Sequence, residues 1–225
     1  MVTSHSIKIK DMPVTLRELA LQKVRQAIIS GYFKAGDRLV ERSLCDELGV
    51  SRSVVREVIR YLEAEGLIEN LPKRGPIVAI ITWEMAEQIY NIRLLLESEA
   101  AKDCAKVATR QDKAKLHKKL LQIAKASNNQ DDIERIQASQ DFYETLFSIA
   151  KHHIAWEIVQ RLNSRISWLR ALTLRSAKRK IDGFERMSHI YDAIEQNNPE
   201  QAKISVERHL TEAATLAKTI LTKEE

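Results

Sequence analysis

Where glycine and proline fall constrains this chain more than any other feature of its sequence. Five of the six glycines (Gly31, Gly36, Gly49, Gly66, Gly75) and three of the four prolines (Pro13, Pro72, Pro76) lie in the first third, and after residue 76 only Gly183 and Pro199 remain. Both residue types punctuate short elements and interrupt helices. The chain therefore divides near residues 76–82 into a turn-rich part and a part made of long helices. At 225 residues it is long enough for two compact units. A hydrophobic fraction of 44% excludes a disordered chain, and 4 Phe, 3 Trp and 5 Tyr favour aliphatic helix packing over a β-sandwich. No run of about 18 uncharged apolar residues exists, so no membrane span is expected. The N-terminus lacks the apolar stretch of a secretory signal, and a cytoplasmic protein is expected. Cys45 and Cys104 fall on helix faces among Leu and Ala, and read as buried free thiols of a reducing compartment.

Residues 1–13 read as a mobile arm and residues 14–81 as the first unit. Thr15-Leu-Arg-Glu18 has the capping-box pattern, with Leu19, Val24, Ala27 and Ile28 following at helical spacing and Gly31 closing the helix. A short extended piece, Arg38-Leu39-Val40, leads into a second helix over 41–48, with Leu44 and Leu48 inward. Gly49-Val50 makes a tight turn, and Ser51 caps a third helix running to Ala64.

That third helix has two faces. Val55, Val58, Ile59 and Leu62 form an apolar stripe, while Arg52, Arg56 and Arg60 stand at i, i+4 and i+8 on another side with Ser53 beside them. A helix, a glycine turn and a helix with arginines at its N-terminal end make a helix-turn-helix pattern. The second such helix fits the DNA major groove, where arginine can donate two hydrogen bonds to guanine. Residues 66–70 and 77–81 read as two strands flanking Leu71-Pro72-Lys73-Arg74-Gly75-Pro76, a turn with adjacent cations at its tip. A cationic hairpin directly after a helix-turn-helix is a wing, placed to reach phosphates or the minor groove. The formal charge of +5 is modest, so the DNA-binding surface must be local.

These residues resemble the GntR-type bacterial transcription regulators. The resemblance runs through Gly36-Asp37-Arg38-Leu39, Gly49-Val50-Ser51-Arg52-Ser53-Val54-Val55-Arg56-Glu57, Glu65-Gly66-Leu67-Ile68 and Arg74-Gly75. It implies that Arg42, Ser51, Arg52, Ser53, Arg56, Arg74 and Gly75 meet double-stranded DNA. Family members often carry Thr-Pro where this chain has Ser53-Val54, a difference that can alter a base contact.

Residues 82–225 read as six helices in an antiparallel bundle, giving a mainly α fold: a winged helix-turn-helix followed by an all-α bundle. The helices are expected from Thr82 to Val107, from Thr109 to Asn129, over 131–151, from Ile154 with Ile158, Leu162, Ile166 and Leu169 as one inward stripe, over 178–196, and from Asn198-Pro199 onward. Arg93-x-x-x-Glu97, Phe142-x-x-x-Leu146, Ala193-Ile194, Gln201-Ala202 and Arg208-His209-Leu210 resemble the FCD branch of the family, whose bundle senses a small molecule. Many FCD members hold a divalent metal with one Asp and three His. The same resemblance puts Ser139, Tyr143, Met187 and His209 at those four positions, a poor donor set, so no metal and no other cofactor is expected. Asp141 and His189 lie two residues out of register.

Arg93, Ser139, Tyr143, Met187 and His209 are the candidate contacts for a small organic metabolite. Each also has an ordinary structural reading: Arg93 as a partner of Glu97 at i+4, His209 as a hydrogen-bonded core histidine, Met187 as a space filler. His152-His153 suits a helix junction. Lys113, Lys115, Lys118 and Lys119 form a solvated face. No phosphate loop, nucleophile elbow or His-Glu-x-x-His is present, so no enzyme is expected. The reading is a metabolite-responsive repressor, acting as a homodimer on a palindromic operator. The alternatives are an activator or dual regulator, or an architectural DNA-binding protein whose bundle only dimerises.

Overall fold

The computed structural model describes residues 15–129, 131–176 and 183–222. The arm expected over residues 1–13, and the start of the helix expected at Lys178, lie outside them. The first unit contains α1 (Leu16–Ile29), α2 (Glu41–Leu48), α3 (Arg52–Ala64) and the hairpin β1 (Ile68–Leu71) and β2 (Gly75–Val78). The second contains α4 (Trp83–Val107), α5 (Arg110–Asn129), α6 (Asp132–Ile149), α7 (His153–Arg161), α8 (Asn163–Leu174), α9 (Gly183–Glu195) and α10 (Pro199–Leu221).

Local chemistry starts the helices where the sequence suggests. Thr15 Oγ1 accepts from Glu18 N at 3.2 Å while Thr15 N donates to Glu18 Oε2 at 2.8 Å, a reciprocal cap that holds the Glu18 carboxyl below its ordinary pKa. Asp131 Oδ1 accepts from Ile133 N and Glu134 N to open α6, and Asn198 with Pro199 opens α10. Val24, Ile28, Leu44, Val55, Val58, Leu62, Leu67 and Val78 close the core of the first unit. Leu19, expected on the inner face of α1, is 48% exposed, and Ala20 takes the buried place. Leu48 and Cys45 are only half-buried; Cys104 is fully buried, and burial pushes its thiol up to about 12.

The wing is shorter than expected and shifted toward its tip. Gly66, at φ +72°, closes α3, and pairing runs from Ile68↔Val78 to Leu71↔Gly75, leaving Pro72-Lys73-Arg74 as the turn. Ala79 N still donates to Leu67 O at 2.9 Å, and residues 80–81 then leave the hairpin as Ile81 enters the core of the second unit. The extended piece at Arg38 bridges Ile77 on the open side of the hairpin.

In the second unit, α4 and α10 run antiparallel along their full length. Trp83 meets Lys218, Glu99 meets Lys203 and Lys102 meets Glu200. One expected helix is two: α7 ends at Arg161 and α8 starts at Asn163. The break re-aims the stripe expected across it. Ile154 (70% exposed) and Ile158 (44%) face outward, whereas Ile166 and Leu169 are buried. The helical unit therefore has seven described helices where six are expected. The sets Lys113/Glu195 O, Lys115/Asp112 and Lys119/Asp141 show that the lysine face of α5 is tied to neighbouring groups as well as solvated.

Candidate nucleic-acid interface and ligand cavity

The turn between α2 and α3 depends on Gly49, at φ +64°, and on Ser51, whose hydroxyl accepts from Val54 N and contacts Ser53 Oγ at 2.8 Å. With Val55, Val58, Ile59 and Leu62 anchored in the core, Arg52, Arg56 and Arg60 are left exposed on the other side of α3. Arg42 on α2, Ser51 and Ser53 are exposed as well, and Arg74 stands exposed at the wing tip beside Gly75, at φ +77°. One acidic residue among these cations was not singled out from the sequence. Glu41, at the start of α2, is ion-paired with Arg52 Nε at 3.1 Å and accepts a hydrogen bond from Arg56 Nε at 3.0 Å.

The five candidate metabolite contacts come together. Arg93, Ser139, Tyr143, Met187 and His209 line one narrow cavity of about 50 Å³ between α4, α5, α6, α8, α9 and α10. Arg93 and Glu97, 2% and 1% exposed, form a bidentate pair through Nε–Oε1 at 2.7 Å and Nη2–Oε2 at 3.3 Å. Ser139 Oγ donates to Arg135 O at 2.8 Å, so its proton is committed to its own helix. The Tyr143 hydroxyl is buried with no hydrogen-bond partner among the described residues, and burial, with the nearby Glu97 charge, pushes its pKa up. Asp141 turns to Lys119 and Gln137 instead of the cavity, and His189 is exposed. His152 caps α7 and bonds Asp103 at 3.0 Å. No group of three or more His, Cys, Asp or Glu side chains placed to hold a metal occurs among the described residues.

Among the cavity residues that sequence reasoning missed is Arg170. Its guanidinium lies 5.7 Å from the Tyr143 ring centroid and makes no salt bridge among the described residues. Desolvation, reinforced by the like charge of Arg93, pulls its pKa down to about 10, so it stays a cation at neutral pH under an electrostatic penalty. The available signal was spacing. Arg170 stands at i+4 from Ile166 and i−3 from Thr173, on the buried side of its helix.

α8 presents its other side to the first unit. Ser164 Oγ donates to Glu65 Oε2 at 2.6 Å, and Glu65 is held by Arg25 from α1. The Arg165 guanidinium lies over Gly66, where a Cβ would come within 2.0 Å of it. Trp168 packs against the cores of both units, and Arg175 Nη2 donates to Ile29 O at 3.2 Å. Positions 164, 168, 171 and 175 fall on one stripe of a 3.6-residue helix, with 170 and 173 on the far side.

Residues 16–78 match the bacterial regulatory proteins of the gntR family, and residues 88–212 match the FCD domain. The chain belongs to the GntR family. This regulator is 30% identical over 168 residues to the gluconate operon transcriptional repressor of Bacillus subtilis, covering 73% of this chain and 68% of that one. It is 26% identical to the Glc operon transcriptional activator of Escherichia coli, covering 89% and 88%. The solved structure of E. coli McbR/YncC shares its fold at TM-score 0.74 and 20% identity, covering 92% of this chain and 99% of that one. A GntR regulator from Rhodococcus does so at 0.75 and 23%, covering 89% and 96%. The regulator is thus a DNA-binding transcription factor and not an enzyme, and no described helix is long and apolar enough to cross a membrane.

Proposed function

We propose that this regulator is a cytoplasmic, metabolite-responsive repressor that binds a palindromic operator as a homodimer and answers to a small organic anion. The observation that carries the effector class is the charge of the cavity. Arg93 is neutralised by Glu97, which leaves the half-buried Arg170 cation beside the buried phenol of Tyr143. A carboxylate entering there replaces the lost hydration of Arg170 with a charge-assisted pair, and the Tyr143 hydroxyl and His209 supply further polar contacts. Such a donor set binds an anion directly, without a metal. The repressor role is supported by the name of the gluconate operon relative, whereas the Glc operon relative is an activator, so operator position relative to the promoter decides between them.

One winged unit makes few base contacts, and a two-fold pair doubles them. In this reading Arg52 and Arg56 reach base edges from α3, with Ser51, Ser53, Arg42, Arg74 and Gly75 on the backbone or at the groove edge. Anion binding acts through α8, whose cavity side carries Arg170 and whose opposite side holds Glu65 and Gly66. A shift of α8 re-aims the winged unit, and a small misfit between two half-sites removes simultaneous engagement.

Selection of binding sites from random-sequence duplexes tests the DNA reading. A palindrome with half-sites about one helical turn apart is the expected result, and salt-sensitive binding without any enriched motif would overturn it. On the selected duplex, Arg52→Ala is expected to lose about 1–3 kcal/mol with little loss on random DNA. Arg74→Ala is expected to weaken both and lower the salt slope by about one unit. For the effector, gluconate, succinate and acetate are titrated against the melting temperature. A rise with at least one anion, absent in Arg170→Leu, is expected; a rise that persists in Arg170→Leu removes Arg170 from the site.

A further inference from the structure

We propose that Glu41 is a positioning residue for DNA readout, a carboxylate post that sets the two recognition arginines and supplies selectivity by holding their charge back from nonspecific phosphate. The proposal rests on the placement of Arg52 and Arg56 at base edges given above. Arg52 Nε forms an ion pair with Glu41 Oε2 at 3.1 Å, and Glu41 Oε1 accepts a hydrogen bond from Arg56 Nε at 3.0 Å, with the second oxygen 3.2 Å from the same Arg56 nitrogen. The side-chain exposures give the direction of control: 27% for Glu41 against 66% for Arg52 and 58% for Arg56. The acid is the more fixed partner, and the two long cations are ordered by it.

Both arginines approach Glu41 through Nε. The terminal Nη groups of each guanidinium therefore remain available for the two parallel hydrogen bonds that guanine O6 and N7 accept. An unrestrained arginine carries rotamer freedom of about 2 kcal/mol that ordering on DNA removes. Glu41 takes part of that ordering into the free protein, which favours the one geometry that reads bases. Its charge acts in the same direction. A carboxylate between two arginines lowers the local positive potential, so phosphate at an arbitrary register is attracted less, whereas base-edge acceptors at the correct register are still met.

Glu41 also occupies the first turn of α2, where an acid stabilises the helix dipole. The test must separate the two roles. Full-length wild type, Glu41→Ala, Glu41→Gln and Arg52→Ala are titrated with the selected operator duplex and with a random-sequence duplex of equal length across a salt series, with the melting temperature measured for each. The expected result is that Glu41→Ala lowers the ratio of operator to random affinity by at least about tenfold, while binding to random DNA is unchanged or tighter. Glu41→Gln is expected to fall between, since an amide oxygen still accepts but carries no charge.

Equal loss on both duplexes, together with a lower melting temperature, would overturn the proposal in favour of a helix-stability role. An unchanged ratio in both Glu41 variants, alongside a reduced ratio in Arg52→Ala, would show that the arginines read DNA without the post. An unchanged ratio in all three variants would overturn the base-readout placement of Arg52 and the role of Glu41 with it.

Discussion

Replacing Glu97 by glutamine is expected to destabilise the helical unit by about 3–5 kcal/mol, the usual cost of breaking a buried ion pair by removing one partner. Arg93 and Glu97 are almost wholly buried, and Arg170 lies in the same cavity without a carboxylate of its own among the described residues. Removal of the Glu97 charge leaves two guanidinium groups facing each other in a poorly hydrated space. The depressed pKa of Arg170 reflects the same tension, with burial and Arg93 lowering it and Glu97 opposing them. Urea unfolding of wild type and Glu97→Gln gives the difference directly. Exchange of both partners, Glu97→Leu with Arg93→Met, is expected to recover most of the loss, because an apolar pair has no charge to strand. A loss below about 1 kcal/mol for Glu97→Gln would mean that water screens the cavity well, and the argument for an anionic effector would weaken with it.

Gly66→Ala is expected to have the second-largest effect, and in two separable parts. The backbone at Gly66 has φ +72°, where any L side chain costs about 1–2 kcal/mol. The new methyl would also lie 2.0 Å from Arg165 Nη2 and 2.1 Å from its Nε, so the guanidinium must leave. That displacement pulls at Ser164, whose bond to Glu65 joins α8 to the end of α3. The expected outcome is a less stable winged unit that exchanges amide hydrogens faster around residues 64–68 and 162–166. The double variant Gly66→Ala, Arg165→Ala is expected to restore protection at 162–166 while retaining the backbone penalty. If the double variant protects no better than the single one, the contact over Gly66 does not hold the two units together.

Much of the first unit was legible in the sequence because its signals are local. A Thr-x-x-Glu cap, glycines at the three turns, and the Val55, Val58, Ile59, Leu62 stripe each act within a few residues of themselves. The wing was recognisable but its register was not, since residues 77–81 are apolar throughout and only the burial of Ile81 in the other unit shows where the strand ends. The family pattern placed Ser139, Tyr143, Met187 and His209 at equivalent positions along three helices, and these side chains do line one cavity. The α7–α8 break escaped notice because Ile154, Ile158, Leu162, Ile166 and Leu169 keep helical spacing across it, and neither glycine nor proline marks the junction.

Sequence alone determined the class of the protein: a turn-rich winged unit with exposed arginines, joined without a flexible linker to a helical bundle. Those features follow from backbone propensity, capping and periodicity, which depend on near neighbours. Tertiary structure alone decided which charges are compensated. Glu41 serves Arg52 and Arg56 from 11 and 15 residues away, Glu65 receives Ser164 across 99, and Arg170 stands in its cavity without a carboxylate among the described residues. The energy of a charge depends on its distance to partners and its access to water, and both are set by how helices distant in sequence pack together.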